Sequence, residues 1–418
     1  MNEHLLQYIW LHRFFNMRAL QTEDHQPVIL IHQGIHNKNQ GPDFLHARMR
    51  IGGIELAGSV EIHVKTSHWY QHAHSGDIHY NNVILHVVWE HDMPFEKDIQ
   101  VLSLKGIVPK HIILHYETLM TRNQSIPCEN QIKAVKPLII EMWKERMFAE
   151  RLTIKTAQLI TLLKQNKQNE EEGFWQMIFR AMGTPVNSDA FESIFRSVSL
   201  KIWLQSADRI QVVEALLLGQ AGLLNGHFED DYLMMLKKEF GYLKKKYVLQ
   251  DVHLLLSNLR MRPAHFPMIR LVQLAMILHQ HPDLLTQMSG CTTVTQMKKF
   301  LMVTANDFWH RHYALKEKSV YKEKQVGDEM ASRILANAVL PFLYLQAEKK
   351  RNIPEQLRVM EFFTQLKPER NHITKRWVQM GIRSDHAFDA QSLLHLHKNY
   401  CLEKRCLDCA IGREILKC

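Results

Sequence analysis

The period of the apolar residues changes once along the chain, and that change limits what the chain can fold into. Residues 3–16 place Leu5, Leu6, Ile9, Trp10 and Phe14 on one face at helical spacing. Residues 28–32, 47–51 and 54–64 are then short, rich in β-branched side chains and separated by glycine-containing turns, with Gly52-Gly53 suited to a hairpin. Residues 83–90 are almost continuously apolar, the pattern of a strand covered on both faces. Residues 102–104 and 112–114 are expected to add edge strands. Beyond a polar, proline-containing connection the period becomes helical and stays so, through segments such as 138–164, 187–203, 210–224, 267–280 and 329–346. The expectation is an α+β chain with a sheet domain at 1–126, a linker at 127–137 and a mostly helical domain at 138–418. Residues 316–325 are expected to form a mobile loop.

Composition narrows the class. With 46% hydrophobic and 23% charged residues, the chain has the balance of a globular protein able to bury a core. No apolar run approaches the roughly 18 residues of a membrane span. The N-terminus MNEHLLQYIWLHRFF carries an acid and two histidines where a signal peptide needs an apolar stretch, so a cytoplasmic protein is expected. The net charge of +9 is uneven: residues 1–120 hold nine Lys/Arg against twelve Asp/Glu, so the excess of positive charge belongs to the rest. Nucleic acid is a natural partner for such a surface, and Arg260, Arg262 and Arg270 are candidates to line a phosphate-facing groove.

The densest polar pattern lies in residues 37–69. In a strand through residues 58–65, Val60, Ile62 and Val64 share one face while Glu61, His63 and Lys65 share the other. Asp43, in a turn after Gly41-Pro42, is one strand and one hairpin turn away, so the fold can return it to the side of Glu61. Two carboxylates meeting there make a hard oxygen site for Mg²⁺ or Mn²⁺. Such an ion polarises a phosphoryl oxygen and acidifies water, with His63 or Lys65 orienting the water or stabilising charge.

Two further clusters carry ligand chemistry. Fifteen of the 26 histidines fall in residues 1–120, and His72, His74, Asp77 and His79 are close enough in sequence to bind zinc or contact phosphate. His86, within the apolar run, is expected to face the sheet interior. Cys401, Cys406 and Cys409 have Cys-x4-Cys-x2-Cys spacing, which iron–sulfur proteins use, and Cys128 in the linker can supply a fourth thiolate. Cys418 is a less suitable fourth ligand. Zinc bound by four cysteines, or by three with His395 or His397, satisfies the same donors.

An N-terminal helical acid, a Gly-Pro-Asp at a strand edge and an acid-x-base on the next strand resemble the PD-(D/E)XK nuclease superfamily. The resemblance covers about 90 residues and implies a restriction-nuclease-like α-β-β-β-α-β core, metal-dependent hydrolysis of DNA or RNA phosphodiesters, and roles at the metal for Glu3, Asp43 and Glu61. His63 stands where that superfamily usually has lysine, with Lys65 further along the same face. A non-catalytic nucleic-acid-binding or scaffold protein that keeps the fold is the alternative. A hydrolase of another phosphate ester acting through the histidines of residues 63–79 is a third possibility. Some nucleases of that superfamily clamp a domain with an iron–sulfur cluster on one early and three late cysteines, an order similar to the one here. GPDF, GSVEIH, HVVW, Gly219-Gln220-Ala221-Gly222, Phe266-Pro267 and the cysteine-rich end together resemble an uncharacterised bacterial family, domain of unknown function 2851.

Overall fold

The computed structural model describes all residues except Ala73, Lys97, Arg122, Asn123, 253–255, Arg260 and Cys418. The chain divides into two compact units, Met1–Trp143 with His397–Cys418, and Lys144–Leu396. The C-terminal segment thus belongs with the sheet.

In the first unit, α1 (Glu3–Leu11) starts where the Asn2 side chain accepts the Leu5 N–H at 2.9 Å. It buries Leu5, Leu6, Ile9 and Trp10. It stops earlier than the apolar spacing suggests, because Arg13 turns the backbone left-handed at φ 55° and lets the Phe14 N–H bond back to the Ile9 carbonyl. The strands β1 (Val28–His32), β2 (Ile35–His36), β3 (Phe44–Ile51), β4 (Ile54–Lys65), β5 (Val83–Glu90) and β6 (Gln100–Ser103) form one mixed sheet. Its order is β1-β3-β4-β5-β6, with β2 paired to the remaining length of β3.

β3 and β4 form the expected hairpin, with Gly52 and Gly53 both at positive φ in the turn. β4 pairs parallel with β5, setting Glu61 opposite His86, and β5 pairs parallel with β6. A one-turn helix, α2 (His68–Gln71), opens the β4–β5 crossover. Residues 112–114 are not an edge strand: they lie inside α3 (Lys110–Thr121), where Ile112, Tyr116 and Leu119 are buried at helical spacing. The long α4 (Pro137–Gln165) follows.

The second unit is helical, and its core includes Trp175, Trp203, Trp309 and a dense set of Leu, Ile and Phe. The expected helix over 187–203 is two helices, Thr184–Arg196 and Leu200–Ser206. Residues 329–346 contain a π-helical turn, Leu335–Val339, between Asp328–Ile334 and Leu340–Lys349. Pro341 accounts for it: the ring has no N–H for the Asn337 carbonyl, and the wider turn relieves that mismatch. In helix Ile210–Gln220, Gly219 allows close packing, since a Cβ there would sit 2.2 Å from the Phe240 ring. Residues 316–325 are irregular but tied down by bridges from His312 to Lys318 and from Thr304 to Gln325. Lys324 is buried, with its ammonium 2.9 Å from the Lys322 carbonyl. No helix among the described residues is long and apolar enough to cross a membrane.

Candidate active site

The hairpin brings the two predicted carboxylates together. Asp43 immediately precedes β3, whose first residue pairs with Val60, so its side chain reaches the next positions of β4. The Asp43 N–H donates to Glu61 Oε2 at 3.0 Å, and the Ile62 N–H donates to Asp43 Oδ2 at 3.0 Å. Gln7 of α1 donates to Asp43 Oδ1 at 2.7 Å. Glu61 is only 4% exposed. Burial pushes the Glu61 carboxyl well above its ordinary range, and the Asp43 charge pushes it further. Burial likewise raises Asp43, against the hydrogen bonds from Ile62 and Gln7. Glu3, raised by its own burial, is close enough for its charge to raise both. Crowded, desolvated carboxyls of this kind become favourable when a cation joins them.

The histidines complete the pocket. His63 and His86 have no exposed surface. His63 Nδ1 lies 2.9 Å from His86 Nε2, and His63 Nε2 lies 3.2 Å from His72 Nδ1. His63 Nε2 is also 3.5 Å from Glu61 Oε1, and His74 Nε2 is 3.3 Å from the same oxygen without hydrogen-bond alignment. One ligand nitrogen each from His63, His72 and His74 lies within 4.8 Å of the other two. Burial, then the neighbouring imidazoles, push His63 down to about 2, and burial pushes His86 down to about 3. Both rings are therefore neutral near pH 7 and keep a lone pair for a metal or a proton. His74 stacks on Tyr80, with ring centroids 4.0 Å apart.

The other candidates fall elsewhere. Lys65 is a correction: it is half-exposed at the end of β4, where its ammonium lies 4.0 Å from Asp92 Oδ2, and it does not join the carboxylates. The physical reason is that β4 is buried only as far as His63; beyond it the strand emerges and Lys65 points to solvent. Asp77 binds His79, whose N–H and Nδ1 both contact Asp77 Oδ1, so this pair satisfies itself. Of the proposed arginine groove, Arg260 lies outside the described residues and Arg262 is exposed. Arg270 is a second correction, because it is buried and spends its guanidinium internally, on Gln273 Oε1 at 2.8 Å and His265 Nδ1 at 3.0 Å. Sequence reasoning placed His86 in the sheet interior but not its bond to His63. The parallel register of β4 and β5 creates that bond, and a single sequence carries no signal for it.

The four cysteines fall in one unit. Cys128, Cys401, Cys406 and Cys409 are all buried and belong to the first unit, and none is in a disulfide. Burial raises all four thiols, Cys406 to about 12, and each of Cys128, Cys401 and Cys406 is raised further by at least one of the others. Hydrogen bonding from the Gly412 and Ile411 N–H groups favours the Cys409 thiolate. His397 is buried in the same unit, whereas His395 belongs to the other, with Nε2 3.5 Å from Glu150. Cys418 lies outside the described residues.

An α+β protein with buried carboxylates and imidazoles on the inner strands of a mixed sheet is the class this geometry defines. Residues 3–372 match the family described as "Protein of unknown function (DUF2851)", and the chain belongs to it. No curated protein and no solved structure matches the chain.

Proposed function

We propose that the protein is a metal-dependent hydrolase of nucleic-acid phosphodiester bonds. The observation that carries the proposal is the interlocked pair Asp43 and Glu61: Glu61 is buried and accepts the Asp43 N–H, and Asp43 accepts the Ile62 N–H of β4. Carboxylates so placed can hold a divalent cation that polarises a phosphoryl oxygen and acidifies its bound water. The order α1, β1, β3, β4, α2, β5 supports likeness to the α-β-β-β-α-β core of PD-(D/E)XK nucleases, with α2 reduced to one turn. The basic balance of residues beyond 120 supports a polyanionic substrate. In place of a lysine, the neutral His63 imidazole would sit at the metal and help to hold the attacking water in place.

The test is cleavage of plasmid DNA and of RNA by the full chain with Mg²⁺, Mn²⁺ or Zn²⁺. Cleavage is expected to fall at least about 100-fold in Asp43→Asn and Glu61→Gln. Cleavage unchanged in both variants would overturn the proposal. Salt-dependent binding with no cleavage under any of the metals would instead mark a binding protein that keeps the fold.

The four thiols support a second centre. The Cys-x4-Cys-x2-Cys spacing of Cys401, Cys406 and Cys409, with Cys128 in the same unit, supports an iron–sulfur cluster, and zinc on the same thiolates is the alternative. Such a cluster would tie the C-terminal segment to the sheet unit.

A further inference from the structure

We infer that His63, His72 and His74 bind one divalent transition-metal ion of the zinc class, with Glu61 reaching its fourth position. This deepens the hydrolase proposed above and rests on the same pocket, but the binding can be measured without any substrate.

The donor chemistry decides the metal. Imidazole nitrogen suits zinc and its transition-metal neighbours, whereas Mg²⁺ demands oxygens and keeps much of its water. Metal–nitrogen bonds of about 2.0–2.1 Å in a tetrahedron set neighbouring ligands about 3.3–3.4 Å apart. His63 Nε2 and His72 Nδ1 are 3.2 Å apart. Glu61 Oε1 is 3.5 Å from His63 Nε2 and 3.3 Å from His74 Nε2. These three separations match tetrahedron edges.

The surroundings fix the ligands. For His63 Nε2 to offer its lone pair, the ring proton must sit on Nδ1, and His86 Nε2 stands 2.9 Å away to accept it. His86 is therefore a positioning residue: it holds the tautomer and the ring plane of His63 without touching the metal. Tyr80, stacked on His74, limits rotation of that ring. His72 is exposed, which gives an ion a path from solvent.

The experiment titrates the metal-stripped full chain with Co²⁺, comparing wild type, His72→Ala, His74→Ala and His86→Asn. Cobalt on thiolates adds a near-ultraviolet charge-transfer absorption that cobalt on imidazoles lacks, so the cysteine centre is told apart. Wild type is expected to bind one equivalent with visible d–d bands free of that absorption, displaced by Zn²⁺ and not by Mg²⁺. His86→Asn is expected to weaken this binding about 10–100-fold, and each ligand variant more than that. Because His72 is on the surface, its variant is expected to keep the fold, checked by circular dichroism. Equal cobalt binding by wild type and His72→Ala, or displacement by Mg²⁺, would overturn the inference. Cobalt binding as expected with no phosphodiester cleavage removes the hydrolase and leaves the metal site. Cleavage in Mg²⁺ alone, untouched by His72→Ala, does the reverse.

Discussion

A carboxyl buried in the helical unit shows what desolvation does away from the candidate site. Glu214 has no exposed surface and accepts hydrogen bonds from Tyr232 Oη at 2.7 Å and Trp309 Nε1 at 2.8 Å. Burial outweighs both bonds and raises its carboxyl from 4.5 to about 7. A folded-state pKa above the unfolded value means the native state holds the proton longer. Its contribution is complete below pH 4.5, is lost as pH rises toward 7, and is flat beyond. Such a shift corresponds to roughly 3 kcal/mol, from about 1.4 kcal/mol per unit. Urea midpoints measured between pH 4.5 and 7.5 are expected to fall with pH in wild type and to fall less in Glu214→Gln; the same slope in both proteins would refute the assignment. Glu61 differs in kind from this residue. Glu214 is answered by neutral donors, whereas Glu61 faces a second carboxyl and two imidazole nitrogens, a set that a cation completes.

At the scale of elements, the C-terminal segment does more than end the chain. Helix Ala410–Lys417 packs on α3 and follows the three late cysteines directly. Gly412 lets it approach them, because a Cβ at that position would fall 2.2 Å from the Cys406 carbonyl oxygen. Protein purified without oxygen is expected to be brown, with iron and sulfide in near-equal amounts, and Cys406→Ser is expected to lose the colour. A colourless protein containing zinc would leave the thiols as a zinc site instead. How much of this could be read in advance depended on the range of the interaction. The Gly52-Gly53 turn and the alternation around Glu61 are local, and they placed Asp43 beside Glu61 correctly. The cysteine spacing also showed in the chain, and Cys128, offered from the sequence as a fourth thiolate, falls in the same unit as the other three. Lys65 continued the same alternation but lay past the point where β4 leaves the core. Residues 112–114 have the β-branched look of a strand, and burial at helical spacing overrode it. His72 and His74 reach the pocket from the β4–β5 crossover, whose path no periodicity encodes.

Across the whole molecule, the two units carry different physical jobs. The first holds the His63 pocket and the four-cysteine group, and the second supplies a large apolar core and most of the positive charge. Glu61 and His63 sit on the inner strand β4, which gives that side of the centre a rigid base, while His72 and His74 come to it from the β4–β5 crossover. The decisive measurement is anomalous diffraction at the zinc edge from crystals of the full chain equilibrated with Zn²⁺. A peak about 2.0–2.1 Å from nitrogens of His63, His72 and His74, with Glu61 in reach, is the expected result. Zinc found only at the cysteines or at surface histidines, with that pocket empty, would contradict it.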